Sequence, residues 1–147
     1  MRLNTFTDYC LRTLMFVGTK GDALATIDEI AAAYGISRNH LMKVVFRLGQ
    51  LGHLETVRGK GGGMRLARAP SAINLGRLVR ETEQDLAVVE CMQGGERVCA
   101  IQPACRLRGV LAEALEAFLA VLDRYTLADL MAPRRRLAAL LDLPQPA

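Results

Sequence analysis

Three cysteines near the middle of this 147-residue chain offer the clearest chemistry: Cys91, Cys99 and Cys105, separated by seven and then five residues. The stretch around them loses helical periodicity and collects Gly94, Gly95 and Pro103, which reads as a loop. Three thiols converging through a loop suggest a site for a soft metal. Zinc usually takes paired ligands at C-x₂₋₄-C spacing, which is absent here, whereas iron–sulfur clusters accept irregular spacings because their cores spread the ligand positions. The same residues could instead form a metal-free thiol/disulfide redox switch, and zinc or inert cysteines remain as further readings. Cys10, the fourth cysteine, falls at an apolar position of a helical stretch and reads as a buried thiol of no assigned role.

A second chemistry lies ahead of the loop. Residues 1–80 carry 12 Lys and Arg against 5 Asp and Glu, whereas residues 81–147 carry 7 against 10. A basic front half suits double-stranded DNA, because each cation placed on a phosphate releases condensed counterions. Ser37, Arg38, Asn39, His40 and Lys43 open a helical stretch, and Arg58, Lys60 and Arg65 surround a glycine run. These residue types reach phosphates and base edges. The glycine run with its lysine lacks the GxxxxGK[ST] spacing of a phosphate loop. No histidine–nucleophile or paired-carboxylate constellation supports an enzyme.

These groups need elements to hold them. Tyr9, Leu11, Leu14, Met15 and Val17 predict a first helix over 7–19, with Thr5 or Thr7 as cap. Thr26 and Glu29 have capping-box spacing ahead of a short second helix that closes at Gly35. Ser37 can cap a third helix with an apolar stripe of Leu41, Val44, Val45, Leu48 and Leu51, ended by Gly52. Two helices joined by so short a turn read as helix-turn-helix, and the first turns of the second enter the major groove. Residues 53–58 and 63–67 read as the strands of a hairpin wing around Gly59-Lys60-Gly61-Gly62.

Asn74 can cap a helix through Leu75, Leu78 and Val79. The longest helix is expected over 104–124 and carries two apolar stripes. Leu107, Leu111, Leu115, Phe118 and Leu122 form one, and Val110, Ala114, Ala117 and Val121 the other. Two faces want two partners, the chain's own domain and a second copy, which gives a two-fold homodimer. Thr126 with Asp129 can cap a short helix, and Arg134, Arg135 and Arg136 are expected to open a solvated polar tail that ends in Pro144 and Pro146.

The expected fold is mainly α with a small β-hairpin: a winged helix-turn-helix DNA-binding domain at 1–80, a cysteine-bearing loop at 81–103, a dimerisation helix at 104–124, and short helices and a tail at 125–147. Hydrophobic residues at 51% and charged residues at 23% are globular composition. Arg2, Asp8 and Arg12 interrupt any leader-like apolar run, and no stretch approaches the ~18 apolar residues of a membrane span. A cytoplasmic protein that engages no membrane is expected, in a compartment that keeps thiols reduced.

Several ordered blocks carry a family resemblance. They are Met1-Arg2-Leu3, Phe6-Thr7-Asp8-Tyr9, Tyr34-Gly35-Ile36-Ser37-Arg38-Asn39-His40-Leu41, Val57-Arg58-Gly59-Lys60-Gly61-Gly62-Gly63, Pro103-Ala104-Cys105-Arg106-Leu107 and Tyr125-Thr126-Leu127-Ala128-Asp129-Leu130. Across nearly its whole length the chain resembles the Rrf-two family of winged-helix regulators, most of all its nitric-oxide-sensing repressors. The resemblance implies a repressor on a palindromic operator that responds to nitric oxide. It implies a [4Fe–4S] or [2Fe–2S] cluster on Cys91, Cys99 and Cys105, with a fourth, non-cysteine ligand from the partner subunit at the position of Asp8. The family's iron–sulfur-status regulators, of IscR type, are the alternative. Those use a histidine shortly after the third cysteine, where this chain has Arg106-Leu107-Arg108, and its only histidines are His40 and His53. The gap from Met92 to Val98 is longer than in close relatives.

Overall fold

The computed structural model describes residues 2–94 and 99–145. Gly95 and Val98 of the loop reading, Pro146 of the tail and Met1 of the resemblance lie outside the described residues. The elements run α1 (Thr5–Lys20), α2 (Ile27–Tyr34), α3 (Arg38–Gln50), β1 (Leu54–Val57), β2 (Gly63–Leu66), α4 (Leu75–Thr82), α5 (Leu107–Leu122), α6 (Leu127–Leu130) and α7 (Arg134–Leu140). The architecture is mainly α with one two-stranded antiparallel hairpin, as expected.

α1 is the spine. It buries Cys10, Leu14, Phe16 and Val17, and it packs against α3, α4, α6, α7 and β2. Its cap is Asn4 rather than Thr5 or Thr7, because the Asn4 side chain accepts the Thr7 N–H at 2.7 Å and so satisfies a first-turn donor. α2 begins with the expected capping box of Thr26 and Glu29 and stops at Gly35, which sits in the left-handed region at φ 64°. α3 turns Leu41, Val44, Val45 and Leu48 into the core, each contributing about 1.5–3 kcal/mol by burial. Leu51 falls outside the helix as its half-buried C-cap.

β1 and β2 pair from Leu54↔Leu66 to Val57↔Gly63. The strands are shorter than expected. His53 is folded inward at the end of α3, and the tip begins at Arg58. Two backbone bonds between Ala25 and Met64, at 2.9 and 2.7 Å, add the segment before α2 to the outer side of β2.

α5 starts at Leu107, three residues later than the periodicity implied. Pro103 lies in a 3-10 turn over Gln102–Ala104, and Cys105 is extended at ψ 113°, so the helix cannot nucleate before them. The capping box of Thr126 and Asp129 starts α6. The expected polar tail contains a helix, α7, and its three arginines are exposed as expected, although Arg134 also reaches back to α1. Its Nε donates to the Thr19 carbonyl at 3.3 Å, and its guanidinium occupies the space beside Gly21. No helix among the described residues is long and apolar enough to cross a membrane.

Candidate nucleic-acid interface and cysteine arm

The exposed face of α3 is set by its cap and its stripe. Ser37 accepts the His40 N–H at 3.3 Å, and the buried stripe leaves Arg38, Asn39, His40, Met42, Lys43, Phe46 and Arg47 outward. Arg38 is paired with Asp28 of α2. The exposed His40 ring lies beside Tyr9 of α1 in a tilted arrangement, with centroids 5.9 Å apart. Asn39 and Lys43 are exposed, and Lys43 forms no ion pair among the described residues.

The hairpin tip depends on glycine. Gly59 and Gly61 have φ of 99° and 76°, and a Cβ at Gly62 would run into the carbonyl of Val57. The Gly62 N–H closes the turn on the Gly59 carbonyl at 3.0 Å. Arg58 and Lys60 stand exposed at this tip. Arg65 is instead held across the strands by the Glu55 carboxylate, at 3.1 and 3.3 Å. The hydrogen-bonded guanidinium keeps the Glu55 carboxyl below its usual range.

Sequence reasoning did not single out the junction behind α3. His53 is buried, its Nε2 lies 2.9 Å from Glu81, and its Nδ1 has no partner among the described residues. Arg77 donates to the other Glu81 oxygen at 2.7 Å, and Arg47 donates to the Glu81 carbonyl at 3.2 Å. Burial works to raise the Glu81 carboxyl, but the bonds from Arg77 and His53 outweigh it and hold it below the ordinary carboxylate range. Only Arg77–Glu81, an i,i+4 pair, was visible in spacing.

The cysteine arm leaves α4 at this junction. Thr82 takes a hydrogen bond from the buried Thr7 hydroxyl at 3.0 Å and donates to the Leu78 carbonyl at 2.8 Å. Glu83 receives both the backbone N–H and the side-chain amide of Asn4 at 2.9 Å. Further out, Gln93 donates to Asp85 at 2.6 Å. Cys91 is half-buried in a 3-10 turn over Glu90–Met92, Cys99 is exposed, and Cys105 is half-buried just ahead of α5. Met92 and Cys105 line one recess with Gln102, Arg108, Gly109 and Ala112, so the Cys91 and Cys105 turns meet. All four cysteines are free thiols.

Among the described residues, no group of three or more Cys, His, Asp or Glu side chains is close enough to hold a metal ion. Asp8 is on α1, paired with Arg12 at 2.9 Å. Cys10 is buried in α1, and burial pushes its thiol up to about 12, against a smaller opposing effect of Arg47. Neither histidine belongs to the arm, since His40 is on α3 and His53 is bound to Glu81.

α5 follows. The stripe of Leu111, Leu115, Phe118 and Leu122 is half-buried toward its own chain, where Leu115, Phe118 and Leu122 face Leu3, Leu86 and Val88 across a groove. Leu119 is buried, and Leu107 is exposed. The second stripe, Val110, Ala114, Ala117 and Val121, is exposed along its length. A forked pair, Arg80 to Asp123 at 2.6 and 2.9 Å, fixes α5 against α4.

The Rrf2 family profile, described as "Iron-dependent Transcriptional regulator", matches residues 3–133. The chain is 49% identical over 146 residues to the HTH-type transcriptional regulator NsrR of Bacillus subtilis, covering 99% of this chain and all of that protein. It is 51% identical over 142 residues to the NsrR of Geobacillus kaustophilus, covering 96% of this chain and 97% of that one. Among solved structures, CymR, the global cysteine regulator of B. subtilis, superposes with a TM-score of 0.71 at 26% identity, over 90% of this chain and 97% of its own. IscR of T. potens superposes at 0.69 and 22% identity, over 93% and 90%, a likeness of fold. A profile match over most of the chain and end-to-end relatives near half identity place this protein in the Rrf2 family of transcriptional regulators, which are not enzymes.

Proposed function

We propose that the protein is a cytoplasmic repressor that binds a palindromic operator as a homodimer and senses nitric oxide through an iron–sulfur cluster. The observation that carries this reading is the joining of two parts. An exposed helix and a cationic wing, suited to DNA, share residues 81–83 with an arm that bears three free thiols. The names of the NsrR relatives add the class of regulator.

On the DNA side, Ser37, Arg38, Asn39, His40 and Lys43 are assigned to the major groove and its edges, and Arg58, Lys60 and Arg65 to the backbone or minor groove. The exposed second stripe of α5 supports a second copy as its cover, because an isolated chain would leave Val110 and Val121 in water. Dimerisation fixes the separation of the two α3 helices, and successive major grooves accept only about 34–36 Å.

On the sensing side, the donor set fits iron. Three free thiols offer soft ligands, and no histidine stands near them to specify zinc or an IscR-type set. Cys91, Cys99 and Cys105 would hold the cluster, with Asp8 contributed by the partner subunit as an oxygen ligand that softness makes weak on iron. Bound there, an iron–sulfur cluster supplies an iron centre that reacts with nitric oxide. Cys105 lies just ahead of the start of α5, while Asn4 and Thr7 hold the root of the arm on α1. Asp8, paired with Arg12 at 2.9 Å in the single chain, would give up that pair to serve as a ligand in the partner's arm, which would link each protomer's α1 to its neighbour. The operator-competent geometry is then one of two populations.

The test pairs Asp8→Ala with Cys99→Ala, each purified without air. Cys99→Ala should abolish the thiolate-to-iron absorption bands. Asp8→Ala should retain colour and respond to nitric oxide with altered kinetics. An Asp8→Ala protein that binds its cluster and reacts unchanged removes Asp8 from the ligand set. Colour retained in Cys99→Ala removes the cluster assignment.

A further inference from the structure

The junction at Glu81 is more than a seam. His53 is 2% exposed, and its backbone is bonded on both sides, donating to the Leu48 carbonyl of α3 at 2.9 Å and accepting from Ala67 after β2 at 3.0 Å. The ring therefore sits where the DNA-facing helix hands over to the wing. Among the described residues the ring's one polar hold is Glu81, because Nδ1 has no partner there. A carboxylate only accepts, so Nε2 carries the proton. The Glu81 carbonyl takes Arg47 of α3, and the two residues that follow are bonded to Thr7 and Asn4 at the start of α1.

We infer that Glu81 is a positioning residue for operator recognition: its carboxylate and carbonyl hold the α3–wing pair against the root of the cysteine arm, so that a shift of the arm reaches the DNA-facing elements through this residue. The coupling half of this inference rests on the cluster-sensor reading. The positioning half stands without it, since it concerns only how α3 and the wing are held together. Removing the Glu81 side chain leaves a buried imidazole with no partner on either nitrogen, which the surrounding backbone can relieve only by moving His53 and the strand entry with it.

The experiment uses full-length protein and two labelled duplexes, one selected from random-sequence DNA by the wild-type protein and one scrambled. Glu81→Ala should lose about tenfold or more of its preference for the selected duplex, the weight of a hydrogen bond to a charged group. Its binding to the scrambled duplex, its salt slope and its visible spectrum should stay those of the wild type. Glu81→Gln, which keeps an acceptor for His53 and the carbonyl for Arg47, should recover most of the preference. Arg77→Ala, which leaves His53–Glu81 intact, should keep it. If Glu81→Ala does not fold, His53→Val carries the test, because it deletes the ring without leaving a buried donor and should show the same loss of preference. Unchanged preference in a folded Glu81→Ala or His53→Val overturns the inference. Equal loss on both duplexes also overturns it, since that is reduced folding: removing a carboxylate makes the protein more cationic and does not by itself weaken its hold on DNA. A wild-type protein that is colourless and indifferent to nitric oxide, with preference still lost in Glu81→Ala, defeats the sensor reading and leaves the positioning role in place.

Discussion

Lys60 and Arg65 lie on the same hairpin, carry the same charge and should nevertheless contribute differently to DNA binding. Lys60 stands exposed at the glycine tip, with no ion pair among the described residues. Arg65 is already committed to Glu55 through two hydrogen bonds, at 3.1 and 3.3 Å, and must surrender them to reach a phosphate. Each cation placed on a DNA phosphate steepens the dependence of log affinity on log salt by ~0.9. Lys60→Ala should therefore flatten that slope by ~0.9, so that on going from ~50 to ~200 mM salt the variant loses ~3.5-fold less affinity than the wild type. Arg65→Ala should flatten it by less than half as much, and Glu55→Gln, which frees Arg65, should steepen it. Fluorescence anisotropy on a labelled operator duplex over a potassium chloride series reads all three. A Lys60→Ala slope equal to that of the wild type, or a larger change in Arg65→Ala than in Lys60→Ala, refutes the assignment of the tip as the wing's phosphate contact.

Thr82→Val should lower the stability of the fold by about 1–3 kcal/mol in urea unfolding at fixed protein concentration, because it leaves the Thr7 hydroxyl, 0% exposed, without its acceptor. Adding Thr7→Val to it should restore part of that loss, and strictly additive effects would show that the two hydroxyls are not coupled. In protein freed of metal, iodoacetamide should label Cys99 rapidly and leave Cys10 untouched, since burial holds the Cys10 thiol at about 12; mass spectrometry after a short pulse decides this. The Glu81 carboxyl is held below its ordinary value of 4.5, so the stability it contributes is present above that pH and lost as pH falls through the depressed value. The stability advantage of the wild type over Glu81→Gln should accordingly narrow below pH 4.5, and a gap that widens on acidification would contradict the bonding described.

Most of the DNA-facing half was legible because its signals are local. A capping box, a serine cap three residues ahead of the N–H it accepts, a left-handed glycine and a stripe at helical spacing each involve neighbours in the chain. The errors came where distant contacts decide. Asn4 caps α1 while its side chain also donates to Glu83, a partner far along the sequence. The arginine triplet is exposed as its composition implies, but the bond from Arg134 to the Thr19 carbonyl at the end of α1 joins residues far apart in the chain and has no local signal. The sequence places the start of α5 three residues early, at Ala104, although its leucine stripe begins only at Leu107; the 3-10 turn at Pro103 and the extended Cys105 delay the helix to that residue. The thiols themselves were found by spacing, but spacing is silent on Glu81 and His53, whose partnership spans the wing and α4.

Sensing and DNA binding have to be read on one sample. Anaerobically purified protein should be measured by visible absorption and, in the same cuvette, by anisotropy of a labelled operator duplex while nitric oxide is added. The account predicts a brown protein whose thiolate-to-iron bands bleach in step with a loss of specific operator affinity. A protein that remains colourless after anaerobic reconstitution with iron and sulfide, or one whose bands bleach while operator affinity does not change, would contradict it.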